Sequence, residues 1–567
     1  MKKILKTAVM SLLVGGAMLT AASCTNLDEN LYDTLSEENV DLSNPDDLSL
    51  VLGQAIANYR YMNTSWMGLW EFREECTDQY MIPVRPEGWG AMYVTLHQHT
   101  WNYNLNHGEN CWGFAYVGIG YANQVLDNIP EDDLVSRAQP RFFRAMIYYD
   151  LFDMYRNVPF MNTAKVEQGY VPEQIGQQEL YDFIVKEFED IKDVIGTEKK
   201  YGWGNKYAVC MALAKLYLNH NAWFGTNDNT WYEKALAEVE TVINEGGYSL
   251  AANYKDNFRE DLSENPEIIF AIPEDRTHAN HFQLHMIAFP QSGLAAYGST
   301  GAAYNGSCAV PQWIDTYDPD DKRLADTWAM GEQHKAKENA DGTWTANPAD
   351  GEPIYDGTDD WTGTGILTYN KEVHSINNTY HQEGYRLHKY EILGGVNNGT
   401  MADDMPIFRL ADAMFIKAEC LLRLGRDEQT AAALVTQVRQ RSFASTAKAT
   451  RSVSQLKGGS VYEYGHREFT GEGATNWSES VTTYEGGSDI ELGGLLDDLG
   501  WEFCCEHHRR QDLIRFKMAD GRNVFNGKSW FCKDAVTDNH CDIFPIPEAA
   551  MRTNLKLKQN PGYSGAE

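Results

Sequence analysis

Positive charge is scarce in this chain: 48 Lys and Arg stand against 81 Asp and Glu over 567 residues, a formal net charge of −33. Binding nucleic-acid phosphates takes clustered Lys and Arg, so that class of partner is excluded. Long apolar runs are missing beyond the first two dozen residues, and a membrane-crossing helix needs about 20 of them. Also missing are the GxSxG, HExxH, glycine-rich phosphate-loop and cysteine–histidine signatures of common enzyme classes. A glycosidase would need two carboxylates roughly 5 to 10 Å apart across a sugar, which abundant Asp and Glu do not by themselves supply. The expectation is a non-catalytic protein without cofactor. Cysteine is modest, at ten. Apart from Cys24 an odd number remains, so at least one is free if the others pair. A core of this size does not demand disulfides. Cys532 and Cys541 flank a short loop and are the expected pair, whereas Cys504 and Cys505, in a helical pattern, are expected as packed thiols.

What is present begins with the N-terminus. Lys2, Lys3 and Lys6 precede a short apolar segment from Thr7 to Leu19, and Ala21, Ala22 and Ser23 lead into Cys24. That is a signal peptide rather than a span. A cysteine directly after small residues resembles a bacterial lipobox, with Ala21 where leucine is usual, and makes Cys24 the acylated first residue of the mature chain. The expected organisation is a lipoprotein signal peptide over 1–23, a lipidated polar tether over 24–44, a helical region over 45–260 and a C-terminal region over 261–567. Cys24 is then the sole attachment to a membrane, through a lipid anchor.

The segment 141–160, RFFRAMIYYDLFDMYRNVPF, carries two apolar stripes at helical spacing, Phe142, Ala145, Tyr149 and Phe152, and Phe143, Ile147, Leu151 and Met154. A helix apolar nearly all round that also carries Arg141, Arg144, Asp150, Asp153 and Arg156 belongs between other helices, not in lipid. Further helices are predicted over 48–61, 111–129, 178–194, 205–222, 231–245, 405–424, 427–442 and 495–518, and a strand over 268–272. Helical hairpins in succession fit tetratricopeptide units, whose repeat is about 34 residues. The fold class predicted is mainly α, a tetratricopeptide-like scaffold with long irregular loops, at 66–106 and 280–400, forming a ligand-binding face. In EHHRRQDLIRF (506–516), Glu506, Arg509, Arg510 and Asp512 are expected to form ion pairs that lock helices together. His97, His99 and His107 lack the carboxylate or cysteine that would complete a familiar spacing, so no metal site is expected from them.

Five segments together resemble the SusD/RagB family of outer-membrane nutrient-uptake lipoproteins: the Cys24 lipobox, 141–160, DMPIFRLADAMFIKAECLLRLG (404–425), GWEFCCEHHRRQDLIRF (500–516) and IFPIPEAAMRTNLKLKQNPGY (543–563). The resemblance implies a lipid-anchored protein of the outer membrane that faces the cell exterior, captures oligosaccharide or polysaccharide, and works as a lid over a TonB-dependent, SusC-like transporter. It also implies site residues. Trp101-x-Tyr103-x-x-Asn106 resembles the family's aromatic-x-aromatic-x-x-Asn glycan pattern, with Tyr103 in place of a tryptophan. Asp78 and Arg85 stand at about the offsets that supply carboxylate and guanidinium contacts, Trp89 is a further platform, and Tyr297, Tyr304 or Trp313 would add rings from the second loop. The alternatives are peptide capture for a RagA-like importer, a secreted glycoside hydrolase, or a plain tetratricopeptide scaffold.

Overall fold

The computed structural model describes residues 44–358, 363–397, 401–472 and 476–564; the leader, Cys24 and the tether up to residue 43 lie outside them. Of the two units into which the chain divides, Met1–Val51 and Leu52–Glu567, the second carries everything below. The elements used here are α1 (Pro45–Thr64), α2 (Leu69–Glu74), β1 (Tyr80–Met81), α3 (Ala91–His97), α4 (Asn106–Leu126), α5 (Leu134–Tyr155), α6 (Gln177–Ile191), α7 (Lys206–Phe224), α8 (Asn229–Glu245), β2 (Ile268–Ile272), β3 (Cys308–Ala309), β4 (Met405–Arg409), α9 (Leu410–Leu424), α10 (Glu428–Arg439), α11 (Gly493–Glu502) and α12 (Arg509–Arg515).

The scaffold is mainly helical, with tetratricopeptide-like pairs. α4 packs on α5, α5 on α6, α6 on α7, α7 on α8, α8 on α9 and α9 on α10, so each helix covers the apolar face of the one before. α5 is buried at every position from Phe142 to Tyr155, as two apolar stripes on one helix require. Asp133 caps it by accepting from Ser136 N–H, and Arg156, at φ 61°, ends it in the left-handed region before Pro159 can intervene.

Two predicted helices are shorter than their periodicity suggests. Met405–Arg409 is strand, antiparallel to β2 with Met405 opposite Ile272 and Arg409 opposite Ile268; Pro406 donates no helical hydrogen bond, and pairing with the buried β2 wins. The span 495–518 breaks between α11 and α12, where Cys505 and His507 take φ of 60° and 67°. The break turns carbonyls outward to tertiary donors: Cys504 O accepts from Lys389 Nζ, and Cys505 O from Trp70 Nε1 and Tyr390 OH, each at 3.0 Å. Cys504 and Cys505 are buried free thiols with sulfurs 3.8 Å apart, but in a turn rather than a helix. The expected Cys532–Cys541 disulfide is absent. Both are free and buried, and their sulfurs face the carbonyls of Arg467 and His99.

Ion pairs do lock the helices. Arg409 reaches Glu267 and Glu502 through Nη1 and Glu506 through Nε, all at 2.8 Å, while Arg441 joins Glu267 and Glu502. Burial pushes the Glu502 carboxyl up, but Arg441, Arg409 and Arg323 outweigh it and hold it far below the carboxylate range. Arg510 pairs with Asp153 of α5, and Arg515 with Glu419 of α9 and with Asp512. The region 280–400 is irregular as expected, stitched by two-residue ladders such as Trp328–Ala329 with Arg386–Leu387.

Candidate functional site

The segment 66–106 is not an open loop. It contains α2 and α3, and β1 pairs with β3 through Tyr80 opposite Ala309, so most of its rings and charges face inward. Asp78 is fully buried: its carboxylate takes Arg509 Nε and Nη2 at 2.7 Å each and the Tyr464 hydroxyl at 2.7 Å. That leaves it no capacity for a ligand. Trp101 is 5% exposed, its ring against His99 and Phe544 and its Nε1 donating to Tyr563 OH at 2.7 Å. Tyr297 is buried against Phe289 with its hydroxyl on His388, and Trp313 is buried beneath Arg509 and Tyr462. These rings are core, because the residues that enclose them come from distant parts of the chain. Tyr103 is half-buried and Asn106, the first residue of α4, is exposed.

Arg85 and Trp89 are buried as well, but beneath a surface of interest. Arg85 donates from Nε to Gly306 O at 2.9 Å, and from its two terminal nitrogens to Tyr380 O and Glu383 O. It thereby ties the strand-like segment at 305–306 to that at 380–383. Trp89 lies flat against the same backbone: a Cβ on Gly306 would come within 2.5 Å of its Cε2, which is why glycine stands there. Trp89 Nε1 donates to Tyr304 O at 2.6 Å, and its ring meets Trp66 edge-on at 6.4 Å between centroids.

Three aromatic rings joined to this region by contact or by chain neighbourhood reach solvent: Trp66, edge-on to Trp89, at 47%, Tyr304 at 48% and Tyr355 at 69% exposed. The chain neighbours of the two tyrosines, Asn305 and Asp356, belong to one polar chain. Asn305 Nδ2 donates to Glu87 Oε1 at 3.0 Å, His381 Nδ1 lies 3.3 Å from the same oxygen, and His381 Nε2 lies 3.2 Å from Asp356 Oδ2, to which Ser292 also donates. Partial burial of Glu87 raises its pKa, but hydrogen bonds from His381 and Asn305 prevail and set it at about 2, so the chain carries a fixed carboxylate. Asp356 is likewise lowered, with the donors Ser292 and Thr358 overcoming its burial. The arrangement offers apolar ring faces beside oriented donors and acceptors. Asn305, His381 and Asp356 were not singled out from the sequence; they come from three segments that only the fold brings together.

The three histidines of the second half of this segment do not converge: His97 faces Phe531 O, His99 faces Cys76 O at 2.8 Å, and His107 faces Glu71 at 3.1 Å. A separate concavity is lined by Tyr201, Trp203, Tyr248, Ser263, Asn265 and Pro266. One face of Tyr248 is covered by Lys199 Nζ at 3.7 Å and one face of Trp203 by Lys200 Nζ at 4.0 Å, which leaves less bare ring there than on the exposed Trp66, Tyr304 and Tyr355.

Known proteins bear on the whole chain. Residues 266–563 match the model of the SusD family, and residues 37–218 match a model described as starch-binding associating with outer membrane. The starch-binding protein SusD of Bacteroides thetaiotaomicron is 24% identical over 481 residues, covering 79% of this chain and 78% of that one. A SusD-like protein of Formosa agariphila is 21% identical over 96% of this chain and 98% of its own length. Among solved structures, NanU of B. fragilis superposes with a TM-score of 0.66 at 17% identity, over 94% of this chain and all of that one. Surface glycan-binding protein A of B. thetaiotaomicron in complex with laminarihexaose gives 0.62 at 16% identity, over 91% and 99%. With one family model spanning more than half of its length and the fold matched along nearly all of it, the chain belongs to the SusD family.

Proposed function

We propose that this protein binds oligosaccharide or polysaccharide at the cell surface, without turning it over, and passes it to a TonB-dependent transporter of the SusC type in the outer membrane. The observation that carries the reading is the rim of Trp66, Tyr304 and Tyr355 around the Glu87–Asn305–His381–Asp356 chain. Pyranose rings present C–H faces that lie on aromatic planes and equatorial hydroxyls that need oriented partners, and the rim offers both. Arg85 and Trp89 act from beneath, holding the backbone from which the rim projects. The site is open and shallow, which suits affinities of about micromolar to millimolar and release to a transporter. Lipidation at Cys24 would hold the protein on the membrane; no described helix is long and apolar enough to cross one.

The test is binding of a Cys24→Ala chain, which is not lipidated, to a panel of polysaccharides and peptides. Trp66→Ala and Tyr304→Ala should each weaken glycan binding by about tenfold, the worth of a lost aromatic contact, Tyr304→Ala without changing stability and Trp66→Ala with a modest loss from its contacts to Trp89 and Tyr93. Peptide binding with no glycan binding would favour the peptide-capture alternative. Loss on Asn106→Ala with both ring variants unaffected would move the site to the 101–106 segment.

A further inference from the structure

α2 places two acids in the core with few partners. Glu71 and Glu75 stand four residues apart, in the first turn and at the C-cap of the helix, and so on one face. Both are buried against α4, whose second residue is His107, also fully buried. The carboxylate oxygens and the His107 ring nitrogen lie within 4.8 Å of one another. Glu71 Oε2 has two partners, Met67 N–H at 2.8 Å and His107 Nε2 at 3.1 Å. Glu75 has none: both its oxygens, and Glu71 Oε1, are buried without a hydrogen-bond donor, and His107 Nε2 lies 3.9 Å from Glu75 Oε2. The neighbouring cation of the same helix, Arg73, points to Asp150 and Asp153 instead. Two adjacent buried carboxylates, one wholly unsatisfied, require a counter-charge or a proton.

We propose that Glu71, Glu75 and His107 form a structural site for a divalent transition-metal ion of the Zn²⁺ class, separate from the ligand rim. Carboxylate oxygen and imidazole nitrogen are donor types such an ion takes, and with three of them from the protein a water would complete the tetrahedron. Ligand atoms that share a tetrahedral ion at about 2.0 to 2.1 Å sit roughly 3.3 Å apart, and the 3.1 and 3.9 Å separations bracket that value. Ca²⁺ fits poorly, since it takes six to eight oxygens. Two carboxylates with a neutral imidazole also balance a 2+ charge, so the filled site is electrically neutral. The ion would pin α2 to α4, and with it the segment that leads to Trp66 on one side and to Arg85 on the other. The competing arrangement is a proton shared between the two carboxyls, toward which burial and the Glu71 charge push Glu75.

The full chain in detergent distinguishes them. It is unfolded in denaturant with EDTA, then refolded with Zn²⁺ or with EDTA, and bound metal and the urea midpoint are measured. The proposal expects about one Zn²⁺ per chain after refolding with metal, a higher midpoint than with EDTA, and loss of both effects in Glu75→Gln. A wild-type chain that refolds with no retained Zn²⁺ and the same midpoint in both conditions overturns it, and a Glu75→Gln chain as stable as or more stable than wild type would then mark the shared proton. Retained Zn²⁺ that persists undiminished in Glu75→Gln overturns it too, since the ion would then sit elsewhere.

Discussion

Replacing Asp78 by Asn separates a residue that holds the fold from one that holds a ligand. The Asp78 carboxylate makes a two-pronged pair with Arg509 at 2.7 Å and accepts from Tyr464 OH, and both members of the pair are buried. Asn keeps the shape but removes the charge, leaving a guanidinium in the core with Leu496 O, the Tyr464 hydroxyl and the Trp313 face as further company. Breaking a buried pair from one side costs about 3 to 5 kcal/mol. In urea unfolding of the Cys24→Ala chain, the Asp78→Asn midpoint should therefore fall with little change in slope. The double variant Asp78→Leu with Arg509→Met removes both charges and should regain a good part of the loss, because replacing a buried pair by apolar groups is often nearly neutral. Glycan affinity of the folded Asp78→Asn fraction should match that of the parent. An unchanged midpoint together with abolished binding would refute the reasoning and return Asp78 to the ligand.

Further outcomes follow from the same geometry. Arg85→Met removes donors to Gly306, Tyr380 and Glu383. It should weaken glycan binding and speed amide exchange around 304–306 and 380–383; lost binding without faster exchange would mean that Arg85 touches the ligand. Burial, only partly offset by the His507 N–H and Lys389, pushes the Glu74 carboxyl up to about 8. Folded chains then keep a proton that unfolded chains release near the ordinary carboxyl value of 4.5, so this group's contribution to stability falls as pH rises between about 4.5 and 8. The stability of Glu74→Gln relative to wild type should accordingly increase with pH across that window, and a flat difference in urea midpoint would contradict it. Thiol titration of the unfolded Cys24→Ala chain should count nine free cysteines; a count two lower would restore the disulfide between Cys532 and Cys541.

The scaffold was legible in the sequence because its causes are local. α5 carries apolar groups on both stripes, and only a helix between helices satisfies that pattern; the same holds for the ion-pairing run 506–516, whose charges lie on buried faces. β2 coincided with its predicted bounds, 268–272. The two helices that proved shorter were decided by partners far along the chain, β2 for Met405–Arg409 and Lys389, Trp70 and Tyr390 for the turn at 503–508.

The site resisted in a more instructive way. Side-chain type says whether a residue could serve a sugar, but exposure is decided by what covers it, and the covers here are remote: Phe544 and Tyr563 over Trp101, Arg509 over Asp78. Arg85 and Trp89 are buried, next to the proposed rim rather than facing out from it. An arginine that must bridge three carbonyls, and a tryptophan that must lie on a glycine, are constrained by the fold itself. Tyr304 and Tyr355 bear few such obligations, so their surroundings restrict their identity little. On the proposed binding face, what sequence pattern can register is the support, while the exposed rings to which the proposal assigns ligand specificity could be replaced by other side chains without cost to the core. Exchanging Tyr304 or Tyr355 for another aromatic should therefore alter which glycan is preferred while leaving the urea midpoint where it was, and a drop in midpoint comparable to that of Asp78→Asn would show that the rim, too, is part of the scaffold.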